Sequence, residues 1–576
     1  MAARRSASRS SRPGKGSARA PAPAAAAVAA PPARLALLWR SFSAAGLILG
    51  TLFFAASLTP SLIPRTFVLQ GALAGVSFAA GYAIGVALDG LWRFMQLPVP
   101  GERIGRPVTW IAMALSLVVV LAFLWRAAFW QNSIRLRMDM PPVEGAQPLA
   151  VAAIALAVFA VIILIARLFQ AVYRRSRGRV GRYVPERVSL VIGIAAAVLL
   201  FVLIVNGVLM RVFLNGADRS AAAFDALIEP QFPAPADPMA TGSAQSLVSW
   251  EDLGRAGREF VASGPTQDEI ASFLGREAKR PIRVYAGLNS APDADARAAL
   301  ALKELQRQGA FDRSVLIVAT PTGTGWMDPA ATAPIEYLHA GDTAIVAVQY
   351  SYLSSPLSLL VEPDFSLQSG RAIFRAVYGY WTTLPKDHRP KLYLFGLSLG
   401  AYGSDQSFGL HEVLADPFNG ALWVGPPFAT PGWRRVTDER NPGSPEWLPT
   451  FGDGSVVRFT NQENHLDIPG AHWGPLRIVY LQYASDPVTF FSTSALWRKP
   501  DWMNAPVGPD VSPELRWYPV VTSLQLMLDN AIGLMVPIGH GHYYAPQHYI
   551  DAWAGLTDPP GWTPEAIDRL KQHFAG

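Results

Sequence analysis

Residues 392–404 read LYLFGLSLGAYGS, placing Ser398 between Gly396 and Gly400 directly after an apolar run of strand-forming residues. A serine hydroxyl is a weak nucleophile near neutral pH. It becomes reactive when a histidine accepts its proton and a carboxylate fixes that histidine's tautomer. The GxSxG spacing suits a sharp strand-to-helix turn that lifts a serine Oγ above a sheet, because side chains on the flanking residues would collide with strand and helix. Glycine-flanked serines are also common in plain turns, so the context carries the reading: a strand ends just before the motif, and the small Ala401 and Gly403 let a following helix approach the sheet.

A carboxylate and a histidine are expected later in the chain, in that order. Asp486, in YLQYASDPV, lies just past an apolar strand, where a sheet presents its ligand-facing loops. Asp405, Asp467 and Asp501 compete with it, but none follows so clear a strand. The segment PIGHGHYYAPQH offers His540, His542 and His548. His542 or His540 is the expected base, with His542 slightly preferred because His540 lies between two glycines and suits a turn; His548 is expected to be surface or structural. The developing oxyanion needs backbone donors: the Leu399 N–H after the serine, and Thr324 or Gly325 in TPTGTGW, the glycine-bearing loop after SVLIVA. The H-x-H spacing also raises a metal reading, but no acidic ligand cluster accompanies it, so no metal and no cofactor is expected.

These residues need a scaffold, and residues 251–576 supply the pattern for one. Apolar runs IRVYAGL, SVLIVAT, TAIVAVQY, LYLF, GALWVG and RIVYLQY alternate with helical patterns at about 295–308 and 369–384. Strands apolar on both faces and separated by helices read as a parallel sheet covered by helices. The first 216 of the 576 residues differ. They hold much of the apolar excess, in five nearly charge-free windows at about 41–58, 68–88, 108–125, 149–166 and 188–209, each long enough to cross a hydrocarbon core. The expected architecture is therefore α + α/β: a basic tail (1–34) too poor in apolar residues to fold, a five-helix transmembrane domain (35–216), a Pro/Ala/Asp-rich linker (217–250) and an α/β domain (251–576).

Eighteen Lys and Arg lie in the tail and the loops on the side of the N-terminus, against four (Arg65, Arg126, Arg135 and Arg137) in the two loops between windows on the other side. The positive-inside rule then puts the N-terminus in the cytoplasm and the α/β domain outside. The formal charge of +6 is spent on these flanks rather than on one soluble face, which argues against nucleic acid. The spans carry almost no ionisable residue except near their ends (Arg40, Asp89, Arg126), which favours an anchor over an ion path. Cysteine is absent, excluding disulfides and thiol chemistry.

Across SLTPSLIPR, PIRVYAGL, TPTGTGW, VAVQYSYL, GLSLGAYGS, VGPPF, YLQYASDP, RWYPVVTSLQ and GHGHYY the chain resembles a bacterial membrane-anchored α/β-hydrolase family that joins a multi-span N-terminal domain to a C-terminal serine hydrolase domain. The resemblance implies esterase-like or lipase-like chemistry and fixes no physiological substrate; the anchor, holding the site near the cytoplasmic (inner) membrane with membrane lipids as neighbours, points to an apolar acyl ester. The resemblance leaves the oligomeric state open. Acyl transfer by the same three residues, and a non-catalytic transport or assembly role, are the competing expectations. One departure stands out: NAIGLMVPIG, before the histidines, is not a convincing strand.

Overall fold

A computed structural model of the chain describes residues 42–98, 101–180, 225–352 and 363–575. The basic tail and the fifth apolar window lie outside these residues.

Seven strands form one fully parallel sheet in the order β1-β3-β2-β4-β5-β7-β6. They are β1 (Ile282–Ala286), β2 (Val315–Thr320), β3 (Thr343–Val348), β4 (Lys391–Leu397), β5 (Gly420–Val424), β6 (Val457–Thr460) and β7 (Arg477–Leu481). Every residue of β1, β2, β3 and β5 is buried, as suits strands rich in Val, Ile, Leu and Ala; Arg283 of β1 is the one charged residue among them and pairs with Glu336. At about 1.5–3 kcal/mol for each large apolar side chain removed from water, these central strands hold the domain together. β6 was not expected; it is a four-residue edge strand beyond β7, too short to stand out among its polar neighbours.

Register decides where chemistry can occur. Thr320 pairs with Gly396, Leu397 with Val424, and Val424 with Leu481, so β2, β4, β5 and β7 end at one level. The loops leaving those four ends share one edge, the position at which open α/β sheets bind ligands.

The N-terminal half is a helical layer: α1 (Ala44–Ser57), α2 (Phe67–Phe94), α3 (Glu102–Arg135) and α4 (Pro148–Val180). Three helices, not the five expected, are long and apolar enough to cross a membrane among the described residues: α2, α3 with its short continuation to Met138, and α4. The first window is the shorter α1, which starts only at Ala44 because the Ser43 side chain accepts the Gly46 N–H and caps it there. Four glycines of α2, Gly71 and Gly75 and then Gly81 and Gly85, two pairs each four residues apart, are packing contacts. A Cβ on Gly71 or Gly75 would strike Ile154 or Val158 of α4 at 2.7 Å, and one on Gly81 or Gly85 the Leu49 or Ala45 carbonyl of α1 at 2.7 and 2.6 Å.

The two halves share a core. Leu62 and Ile63 from the α1–α2 loop, and Ile134 and Met138 at the end of α3, are buried in the same apolar cluster as Ile532 and Val536 of the α/β domain. The SLTPSLIPR turn, whose role was not legible from its residues, is the centre of this junction. Residues 240–250, expected within the linker, are folded onto the sheet: Thr241 Oγ1 donates to the Arg283 carbonyl of β1 (2.8 Å), and Glu304 accepts from Ser246 Oγ (2.9 Å) and the Leu247 N–H (3.0 Å). Short hydroxyl side chains satisfying buried groups hold the stretch in place, which a count of Pro and Ala does not register.

Candidate active site

Ser398 follows β4 and begins α5 (Leu399–Asp405) with φ 57° and ψ −126°. A non-glycine residue in that region costs on the order of 1–3 kcal/mol and persists only where its surroundings impose it. Two of those constraints are visible. The Ser398 N–H donates to the Val424 carbonyl at the end of β5 (2.9 Å). A Cβ on Gly396 would lie 2.4 Å from the Gly400 carbonyl oxygen, and one on Gly400 would lie 2.2 Å from that of Thr320. The turn is therefore as sharp as the GxSxG spacing predicts, and the glycines are sterically required. Leu399, in the first helical turn, presents a backbone N–H with no acceptor inside the helix.

Asp486 is fully buried beyond the end of β7. Its Oδ1 accepts from the Val488 N–H (2.8 Å), and its Oδ2 from His542 Nδ1 (2.8 Å) and the Tyr544 hydroxyl (2.6 Å). Nδ1 facing a carboxylate fixes the tautomer with the proton on Nδ1 and leaves Nε2 as acceptor. That Nε2 is buried and has no hydrogen-bond partner among the described residues, Ser398 included. In an unliganded site such a bond often forms only when substrate closes the geometry.

Gly425 joins the two parts. It directly follows Val424, the residue that accepts the Ser398 N–H, and it has φ +50°. A Cβ there would meet His542 Cε1 at 2.8 Å, Asp486 Oδ2 at 2.9 Å and Tyr544 Cε2 at 2.9 Å. The imidazole thus lies over the same strand end that anchors the serine turn. Gly425→Ala is expected to push the imidazole off its seat and to lower kcat on any ester the protein hydrolyses by at least tenfold, with a far smaller change in KM, as steady-state kinetics would report.

The other candidates lie elsewhere. His540 faces Asp139 beyond α3 (Nε2 to Oδ2, 3.7 Å) and Asp510 (Nδ1 to Oδ2, 3.9 Å), so the carboxylate after β7 is paired with His542 and not with His540. His548 is structural: its Nδ1 lies 2.5 Å from the Tyr483 hydroxyl, and burial lowers its pKa to about 4. Asp405 accepts the Gly432 N–H (3.0 Å). Neither Asp467 nor Asp501 pairs with a histidine among the described residues. Gly325 donates its N–H to the Thr322 carbonyl (2.9 Å) and is committed to that turn, so it is not the free donor expected of it; Thr324 is left as the candidate in this loop.

Sequence reasoning missed Tyr544, which shares Asp486 Oδ2 with His542, although it stands two residues after His542 in HGHYY. It also missed Asp328, which caps α6 (Pro329–Leu338) by accepting the Ala330 N–H (2.9 Å) and also accepts the Tyr549 hydroxyl (3.0 Å). Burial raises this carboxyl to about 6, and His542 is near enough to pull it slightly back. An acid whose folded pKa lies above its unfolded one favours the fold at low pH and loses that contribution as pH rises. The window here runs from about 3.8 to about 6. Asp328→Asn is therefore expected to gain stability relative to the parent between pH 4 and 7, by on the order of 2–3 kcal/mol, as thermal melts at both pH values would show.

The pattern of an alpha/beta-hydrolase family matches residues 282–570, and that of the same family's N-terminal region matches residues 58–265. The chain belongs to this α/β-hydrolase family. The parallel sheet, the glycine-flanked turn after β4 and the helical N-terminal half agree with that membership. No curated protein and no solved structure matches the chain.

Proposed function

We propose that this α/β-hydrolase is a membrane-anchored serine hydrolase of carboxylic esters with apolar acyl groups, using Ser398, His542 and Asp486. The observation that carries the reading is the buried Asp486–His542 pair, seated through Gly425 on the strand end that holds the strained Ser398 turn.

In this reading Ser398 Oγ attacks the acyl carbon while His542 Nε2 takes its proton. The Nδ1–H stays on Asp486, which stabilises the imidazolium and remains ionised. Negative charge on the carbonyl oxygen is met by the Leu399 N–H and a donor of the β2 loop, with Thr324 the candidate. The alkoxide leaves with the proton from Nε2. Water then attacks the acyl-enzyme, with His542 as base again, to give the acid and free serine. The Tyr544 hydroxyl, the Val488 N–H and the Thr489 hydroxyl hold Asp486 in place against the ring. The charge asymmetry of the helical half supports an α/β domain on the extracytoplasmic face of the inner membrane.

The test is direct. Full-length protein in detergent should hydrolyse p-nitrophenyl esters and be labelled by a fluorophosphonate on Ser398, located by peptide mass. Absence of both would overturn the reading.

A further inference from the structure

Helix α7 (Val521–Ala531) and the turn after it lead from the helical half to His542. Residues 521–541 contain no Lys, Arg or Glu, and their one acid, Asp529, is fully buried. Yet the segment is not interior. Met527, Leu534, Met535 and Ile538 are 58, 65, 67 and 48% exposed. A helix facing water sets charged side chains on its open side, and a run of large apolar side chains exposed together marks a contact surface.

The depth of this surface is fixed by its neighbours. α7 packs on the ends of α1 and α2. Gln525 Nε2 donates to the Thr59 carbonyl (3.0 Å) and the Ser57 carbonyl (3.4 Å), and Asp529 Oδ2 accepts the Leu62 N–H (3.0 Å). Ser57 ends α1, and Phe67 begins α2, a helix apolar and long enough to cross a membrane. Phe67 and Val68 are themselves exposed at that end. At the N-terminal end of α7 the Val520 N–H donates to the Leu496 carbonyl (3.0 Å), which brings in exposed Trp497 with Arg498 and Lys499 beside it. An aromatic ring next to basic side chains is the composition of a membrane–water boundary.

We infer that the exposed side of residues 527–538 is seated in the lipid interface on the α/β-domain side of the bilayer, so that the loop carrying His542 lies against lipid. The inference uses the crossing of α2–α4 and the exposed side chains, and stands whether or not Ser398 is a nucleophile. The occupant is lipid, because the patch continues the surface through which the helices enter the membrane.

The chain has no cysteine, so Leu534→Cys, Met535→Cys and Met527→Cys each offer one thiol for an environment-sensitive fluorophore such as NBD. The full chain is reconstituted in phosphatidylcholine vesicles, with and without doxyl-labelled lipid. Glu565→Cys serves as the control; it lies in α8 (Pro564–His573), which packs on the sheet face opposite the junction. The expected result is blue-shifted emission at all three positions, quenched strongly by doxyl groups near the head of the lipid, and water-like, unquenched emission at 565. Water-like emission at 527, 534 and 535 would overturn the inference. So would a blue shift that ignores doxyl lipid and grows with the protein-to-lipid ratio, since that would make the occupant a second copy of the chain.

Discussion

Ser398→Ala is expected to abolish fluorophosphonate labelling and to lower kcat/KM on carboxylic esters by roughly 10⁴ to 10⁶, the range found when a hydroxyl acting with a histidine is removed. The fold should be indifferent to the change. Alanine meets the same backbone restriction at φ 57° as serine, the backbone bond to Val424 is kept, and no hydrogen bond joins the lost hydroxyl to His542 Nε2. An unchanged melting temperature with lost turnover therefore separates chemistry from structure. Turnover at the parent rate would move the nucleophile to another residue.

The second large effect lies far from Ser398 in sequence. Arg65→Met is expected to destabilise the protein by about 3–5 kcal/mol, because it leaves Asp529 as an uncompensated buried charge. Both partners are fully buried, with Arg65 Nε 3.7 Å from Asp529 Oδ1. Arg65 also donates to Gln70 Oε1 (3.0 Å), the Ser57 carbonyl (3.3 Å) and Ser61 Oγ (2.5 Å), tying the whole α1–α2 turn together. That turn supports the histidine loop. A Cβ on Gly541 would lie 3.1 Å from Ile63 Cδ1, the Gly541 N–H donates to Ser485 Oγ (2.9 Å), and the His542 N–H donates to the Gly533 carbonyl (3.0 Å) just past α7. Slower fluorophosphonate labelling should therefore accompany the drop in stability. Adding Asp529→Leu should return much of the lost stability, since two apolar side chains leave no charge behind. A single variant as stable as the parent would refute this account of the junction.

Much of the sheet and the serine turn were legible because their signals are local. Six runs of β-branched and aliphatic residues gave six strands, and GLSLG gave a turn whose glycines are filled in from both sides. The histidine was harder. No strand leads into it; α7 and a turn do, so His540 and His542 could be separated only by what each faces, Asp139 and Asp510 for one and Asp486 for the other. Gly325 illustrates a different limit: a glycine's freedom is visible in sequence, whereas the hydrogen bond its N–H has already made is not. Tyr544, Asp328 and Arg65 were missed because each acts through a partner distant in the chain, 58, 221 and 464 positions away respectively.

The side chains of Leu62 and Ile63 fill space that residues of the α/β domain leave open. A shortened chain starting at Asp225 would carry a void where those two residues sit and a carboxylate, Asp529, stripped of its guanidinium. The helical half is thus no mere tether: excising it would remove part of the wall behind the imidazole, and solubility gained that way would come at the expense of the domain it was meant to free.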